Sequence, residues 1–452
     1  MLMEVSRPPA TLEAGTLALV LGLGRTGLSC ARYLRRRGLE VRVADTRPAP
    51  PGATALREQV PGAQLHTGPF DAGLLDGVAQ VVISPGLSLR EPVALEAAAR
   101  GLPVVGDIEL FAHEVAAPVA AVTGTNGKST VTALLAELAT AAGRRAIAGG
   151  NLGEPALDLL ERPVPELYVL ELSSFQLETT RSLEVSAATV LNVTPDHLDR
   201  YDSIDDYAAA KARIFAACEV AVVNADDPRV REMPRPGQRV LTFSLRDPGA
   251  DYSLSRRAGP ALTRRGEPLL PVSALRLQGE HNVANALAAL AMSEALGLPL
   301  APVLEALAAF AGLPHRSQWV ADVGGVHYVN DSKGTNVGAT VAAVAGLAGP
   351  LVLIAGGDGK GQDFGELREA LRDKVRHVVL IGRDAPLLET ALGSVCTTER
   401  ASDMPGAVAA AAAAARPGDT VLLSPACASL DMFRDYAHRG EAFAAAVRSL
   451  ER

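Results

Sequence analysis

Thr123-Gly124-Thr125-Asn126-Gly127-Lys128-Ser129-Thr130 follows the apolar run at 119–122 and opens a helical pattern over 128–142. A strand, a glycine-bearing turn and a helix in that order predict one unit of a parallel α/β sheet. In such a turn the backbone amides and Lys128 would hold β- and γ-phosphates, and the Ser129 hydroxyl would reach Mg²⁺. The stretch departs from G-x-x-x-x-G-K-[ST] in one place, since Val122 occupies the first glycine position. Gly127-Lys128-Ser129-Thr130 between a strand and a helix still favours phosphate binding over a bare turn.

On the N-terminal side a similar arrangement recurs. The run LALVLGLG at 17–24 reads as a buried strand, 29–37 as a helix, and 41–44 and 80–83 as further strands, the last ending at Ser84-Pro85-Gly86. On the C-terminal side, 167–172 and 187–192 read as strands, and a helix over 286–296 closes the middle unit. Gly312-Leu-Pro-His-Arg316 then reads as a linker, because its proline stops a helix and polar residues follow. A third unit repeats the alternation, with strands at 326–329, 351–355, 378–381 and 420–423. The stretches 47–52 and 228–238 are too rich in proline for element interiors. Strands alternating with helices throughout predict doubly wound parallel sheets.

The whole chain of 452 residues suggests roughly three domains at about 150 residues each. Apolar residues make up 48 % and charged residues 21 %, enough apolar surface for packed cores and against disorder as the main state. The longest purely apolar run, 407–415, is far short of the ~20 residues that span a bilayer, and no secretory leader pattern opens the chain. Membrane insertion and secretion are therefore not expected. Cys30, Cys218, Cys396 and Cys427 are too scattered for a metal site or a disulfide framework, which fits a reducing cytoplasm. A net charge of −8 argues against nucleic acid as a partner. Only five of the 43 basic residues are lysine: Lys128, Lys211, Lys333, Lys360 and Lys374. In a chain so biased to arginine, lysine points to sites that need a compact ammonium or a reactive amine.

Gly22-Leu-Gly24-Arg25-Thr26-Gly27, with Asp45 at the end of the next strand, is formally a complete dinucleotide fingerprint. NAD, another nucleotide diphosphate and a merely tight turn all remain open from these residues alone. A third site is acidic. Glu171 ends the strand 167–172, and Asn192-Val-Thr-Pro-Asp-His197-Leu-Asp-Arg-Tyr201 follows the next one, with Lys211 in a helical stretch beyond. A hard cation beside a triphosphate takes oxygen ligands, which suits Glu171 with Ser129. In isolation His197 reads as a packed or solvated histidine and Lys211 as a surface lysine.

Taken together, TGTNGKST, ELSSFQLE, LNVTPDHLDRY, GEHNVANALAA, GLPHR and NDSKGTN resemble, in order, the motifs of the Mur ligase family, ATP-dependent amide-bond synthetases of bacterial cell-wall assembly. GLGRTGLS, DTR and SPG in the first unit, and IAGGDGKGQDF and LLSPACASLDMF in the last, resemble its D-glutamate-adding branch. The resemblance implies three α/β domains: a Rossmann-like UDP-substrate domain at 1–107, a central P-loop ATPase domain at 108–312 and a Rossmann-like amino-acid-binding domain at 313–452. It implies that UDP-N-acetylmuramoyl-L-alanine is activated by ATP as an acyl phosphate and coupled to D-glutamate, and that the first glycine cluster cradles a UDP diphosphate, so the NAD reading is set aside.

The family's site residues carry over to these positions. Gly24, Arg25, Thr26, Asp45, Thr46, Arg47, Ser84, Pro85, Gly86, Asn151, Ser173 and Gln176 are implied for the UDP substrate. Gly124, Thr125, Asn126, Gly127, Lys128, Ser129, Thr130, His281, Asn282, Asn285, Arg316 and Asp331 are implied for ATP. Lys333, Thr335, Lys360, Ser429, Leu430 and Tyr436 are implied for D-glutamate, with packing an equal alternative for Tyr436. Two Mg²⁺ ions are implied, one on Ser129 and Glu171, the other on His197 and a carbamylated Lys211. Lys128, Glu171, His197 and Lys211 form the implied catalytic set. His197 is one candidate general base, although the residues do not single one out. A cytoplasmic monomer is expected, closing about the linker during turnover. Another amino-acid-adding or folylpolyglutamate-type ligase is the alternative within the family, and a P-loop ATPase switch the alternative outside it.

Overall fold

A computed structural model describes residues 12–450 apart from 198, 199, 258, 278 and 348. Two positions of the His197 motif, Leu198 and Asp199, therefore lie outside the described residues.

The apolar run at the start forms the strand Leu17–Leu21, buried at four of its five positions. A strand apolar on both faces needs cover on both, so it belongs inside a parallel sheet. It pairs with Glu40–Asp45 on one side and Val78–Ile83 on the other, both parallel. Gln64–Thr67 and Val104–Val105 complete a five-stranded sheet. Strand order reverses between Leu17–Leu21 and Val78–Ile83, which opens a crevice at their C-terminal ends. Gly22 and Ser84 lie at that crevice.

The middle unit is built on a nine-stranded sheet. Val119–Thr123 lies between Leu167–Glu171 and Val185–Val190, all parallel. This places the turn 124–127, Glu171 and the segment after Val190 at one end of adjacent strands. Two helices, Lys128–Ala141 and the almost wholly buried Glu280–Ala295, supply one face of the core. A further helix, Leu300–Ala309, follows where the sequence pattern placed the end of the unit. Proline-rich 228–238 holds a short helix, Pro228–Arg231, with its proline at the tolerated first position. Beyond it, Tyr252–Ser255, Ala261–Arg264 and Glu267–Pro271 form an antiparallel extension that the sequence reading missed. Strands of four or five residues carry too little alternation to be read.

The third unit is a six-stranded sheet, parallel except for the edge strand Gln318–Val323. That strand turns into Val326–Asn330 through Gly324 and Gly325, both at positive φ (60° and 77°), as a two-residue hairpin requires. Among the described residues no helix is long and apolar enough to cross a membrane.

Candidate active site

The first cleft starts at Gly22, where the chain leaves its strand at φ 88°. Gly27 lies in the first turn of the helix Arg25–Arg36, and a Cβ there would stand 1.9 Å from the Gly22 carbonyl oxygen. Only glycine lets the helix begin so close beneath the strand end. Gly24 caps that helix with no side-chain hydrogen bond, so its N-terminal amides are left for an anion. Asp45 is buried and organises the opposite wall. It accepts the Leu23 N–H (2.7 Å), the Arg47 N–H (2.9 Å) and a forked pair from the Arg47 guanidinium (2.8 and 2.6 Å). Arg47 beside it holds the carboxyl down at about 2. A cleft of about 520 Å³ is lined by 24–26, 45–47 and 84–86 together with Asn151, Ser173 and Gln176, so all twelve positions expected for the UDP substrate share one cavity. Phe70, Phe175 and Pro155 also line it; Phe175 lies inside the ELSSFQLE motif but was not singled out, and the other two had no signal in the sequence.

In the middle unit, Gly124 (φ 147°) and Gly127 (φ 86°) shape the turn, and Gly127 caps the helix that Lys128 opens. The Lys128 ammonium folds back onto the turn, donating to the carbonyls of Gly124 (2.7 Å) and Thr125 (2.8 Å). Burial lowers its pKa, against the pull of Glu171 and Asp196. Lys211 approaches from the other side. Its amine donates to the same Gly124 carbonyl (2.9 Å) and lies 4.3 Å from the Tyr207 ring centre. At 1 % exposure, and with Lys128 close by, its pKa falls well below that of an ordinary lysine. His197, at φ 56°, packs against Phe175 (4.8 Å between ring centres) and Tyr207 (6.3 Å). Lys211 and His197 thus meet at one tyrosine. One oxygen of Glu171 accepts from Asn151 (2.6 Å); the other is buried with no hydrogen-bond partner.

The second cleft, of about 430 Å³, is lined by Asn126, Gly127, Thr130, His281, Asn282, Asn285, Arg316 and Asp331. Arg316 reaches over from the third unit and donates to Ser129 Oγ (2.5 Å). Asp331 accepts from the Ser317 N–H (3.0 Å) and Ser424 Oγ (2.8 Å), and burial pushes its carboxyl up to about 6. Asn192, Asn224, Phe243 and Arg246 line the same cleft and were not anticipated. Asn224 ends its strand and Phe243 sits next to the end of the neighbouring one. The rule that ligands lie at carboxyl ends of parallel strands would have pointed to them.

The six positions expected for D-glutamate are spread out. Lys333 lines the second cleft and stacks on Tyr436, its ammonium 3.9 Å from the ring centre. Burial, helped by Arg316, draws its pKa down to about 8. Lys360 is exposed at φ 52° and faces His197 and Asp196 across a third cleft of about 610 Å³. Thr335 follows Lys333 closely, its N–H bonding to the Lys333 carbonyl (2.8 Å). Ser429 is buried, whereas Leu430 is 73 % exposed.

Residues 16–106 match the MurD-like N-terminal domain of Mur ligases, 122–293 the Mur ligase middle domain, and 315–427 the glutamate ligase domain of Mur ligases. The chain belongs to the Mur ligase family. It is similar to the UDP-N-acetylmuramoylalanine--D-glutamate ligase of Nitrosococcus oceani, at 55 % identity over 98 % of both chains. The like-named protein of Pseudomonas aeruginosa is 51 % identical over 96 % of this chain and 98 % of its own. Among solved structures, the MurF ligase of Thermotoga maritima in complex with ADP shares the fold at TM-score 0.63 and 18 % identity, over 91 % of this chain and 95 % of that one. MurC of Thermotoga maritima does so at 0.62 and 21 %, over 96 % and 99 %.

Mur ligase chemistry implies Mg²⁺, and the donor set fits it in one specific way. Among the described residues no three His, Cys, Asp or Glu side chains gather to cage an ion. What this Mur ligase does present is an unpartnered carboxylate oxygen on Glu171 and, at the P-loop, the Ser129 hydroxyl. Magnesium is usually held by one or two carboxylates plus substrate phosphate and water, so a sparse protein contribution is the expected one.

Proposed function

We propose that the chain couples D-glutamate to UDP-N-acetylmuramoyl-L-alanine at the expense of ATP, in the cytoplasm and as a monomer. What carries this reading is identity of 50 % or more, over nearly the whole chain, to proteins named for that reaction. The first cleft, in 1–107 and its border with 108–312, takes the UDP substrate; the second takes ATP; and 313–452 supplies the D-glutamate site. Cysteines free of disulfides suit a reducing compartment.

The substrate carboxylate attacks the γ-phosphoryl group, releasing ADP and forming an acyl phosphate. The D-glutamate amine then attacks that carbonyl, phosphate departs, the amine loses a proton, and an amide remains. Bringing a carboxylate to a triphosphate crowds negative charge. Lys128 and the amides of 124–130 bind the phosphates, and Arg316 approaches from the third unit, with Asn282, Asn285 and Asp331 around the rest of the nucleotide. Two Mg²⁺ ions, one on Ser129 and Glu171 and one on His197 and carbamylated Lys211, would neutralise the phosphate oxygens. Lys211 is suited to carbamylation, because burial favours the neutral amine, whose lone pair can take the carbon of CO₂; adding it and losing one proton gives a carboxylate-like ligand. Lys360, Lys333 and the Thr335 and Ser429 hydroxyls offer cations and donors for a dianionic amino acid. Once the third unit covers the site, water is kept from the acyl phosphate.

Phosphate release tests the reading. With UDP-N-acetylmuramoyl-L-alanine and ATP present, D-glutamate should stimulate release strongly, and L-lysine and diaminopimelate should not. Stimulation by another amino acid would move the chain to a different branch. Release indifferent to amino acid would make it an ATPase switch.

A further inference from the structure

Gln176 lines the first cleft but is only 2 % exposed. Its Oε1 accepts from the Ser173 N–H (3.0 Å) and Ser173 Oγ (3.2 Å), while its own N–H donates to Ser173 Oγ (3.2 Å), closing a capping box. A backbone N–H can only donate, so the amide oxygen is bound to face Ser173. Nε2 faces the other way and gives one hydrogen to Asp107 Oδ2 at 2.9 Å. Its second hydrogen has no protein acceptor among the described residues.

Asp107 is not among the family positions carried over above. It opens the helix Asp107–Ala112, two residues after the last strand of the first sheet, and is 1 % exposed. Among the described residues it has no ion-pair partner, and its Oδ1 is buried without a hydrogen bond. A buried carboxylate with no cation and an idle oxygen lowers stability relative to an apolar side chain. Its bond to another side chain goes to a residue of the cleft wall.

We propose that Asp107 is a positioning residue that anchors the Nε2 end of the Gln176 amide, whose oxygen end Ser173 already holds, so that the cleft meets its substrate with an N–H of fixed aim. This rests on the reading of the first cleft as the site of the muramoyl-alanine substrate, whose carboxylate and amide oxygens are acceptors. Without Asp107 the Nε2 end loses its anchor, and the remaining N–H no longer has a fixed aim.

The test is a set of single and double variants followed by steady-state kinetics. Asp107→Leu should raise KM for UDP-N-acetylmuramoyl-L-alanine about tenfold, the usual scale for losing one aimed hydrogen bond, with KM for ATP and D-glutamate changed less than about twofold. Asp107→Asn, whose Oδ1 still accepts from Nε2, should recover most of the loss. Adding Asp107→Leu to Gln176→Met should cost nothing further, because the two act through one amide. If the leucine variant does not fold, Asp107→Ser replaces it, being polar but too short to reach Gln176. An unmoved KM in the leucine or serine variant overturns the proposal, as does a loss that adds in full to that of Gln176→Met. A wild-type protein that turns over none of these substrates is a different failure, that of the substrate reading itself.

Discussion

Lys211 shows how burial disfavours charge. An exposed lysine is an ammonium at neutral pH and cannot bind CO₂; this one is almost wholly enclosed, beside the charge of Lys128. Lys211→Ala should lower turnover by at least about a hundredfold, and a short carboxylic acid added to the variant should restore part of it. Lys211→Arg should not be rescued by its own charge, since a guanidinium stays protonated. Full turnover by the untreated alanine variant would overturn the proposed carbamate. Asp45 gives the opposite case, a carboxylate held down at about 2 from the usual 3.8 by Arg47. A depressed carboxylate stabilises the fold above its unfolded pKa, and that contribution fades as pH falls through the folded value. The part of the urea-midpoint difference between wild type and Asp45→Asn that comes from this charge should therefore be full above about pH 5 and fade as pH falls through about 2.

Both cradles are strands that pass through glycine into a helix, but their glycines are required for different reasons. At Gly27 the obstacle is backbone, the Gly22 carbonyl 1.9 Å from an added Cβ, so strand end and helix would have to part. At Gly127 the obstacle is the Asn285 amide oxygen at 2.4 Å, and φ is 86° as well. Gly127→Ala should cost about 1–3 kcal/mol in stability and raise KM for ATP by displacing Asn285. Gly27→Ala should do more damage and weaken the UDP substrate rather than ATP. Thermal unfolding with KM for each substrate separates the two effects, and equal KM changes for both substrates would contradict the assignment of one cradle to each.

The three units are not joined alike. One core cluster runs from Ala18 and Val20 in the first sheet through Ile108, Phe111 and Tyr168 to Phe215 and Val230 in the middle unit. The clusters of the third unit, from Ala321 and Val329 onward, contain no residue of the other two. Near the site that second boundary is crossed by polar bonds, Arg316 to Ser129 and Asn336 to Asp196 at 3.2 Å, and by a close approach of Gly346 to Gly279. The linker between holds His315 and Ser317 in the left-handed region, at φ 63° and 44°. Moving an interface that lies outside any shared core cluster costs less than opening a shared apolar core. The third unit should therefore swing about 312–317. Small-angle scattering should show compaction when nucleotide, UDP substrate and an inert D-glutamate mimic are added together, and an unchanged radius of gyration would argue against the swing.

Much of this protein was settled within short stretches of chain. TGTNGKST specifies a strand, two left-handed glycines and a helix start, because consecutive residues are tied by covalent geometry and a turn needs only its own atoms. The fingerprint at 22–27 and the linker at 312–316 are legible for the same reason. Chemistry that depends on distant segments was not. That Asp45 turns its oxygens to Leu23 and Arg47, that Asn224, Phe243 and Arg246 wall the second cleft, that Asp107 holds Gln176, and that Lys333 and Lys360 line different clefts all depend on sheet order and on which units share a core. Those juxtapositions arise from burying apolar surface across the whole chain, a sum over remote contacts that no local pattern of residues encodes.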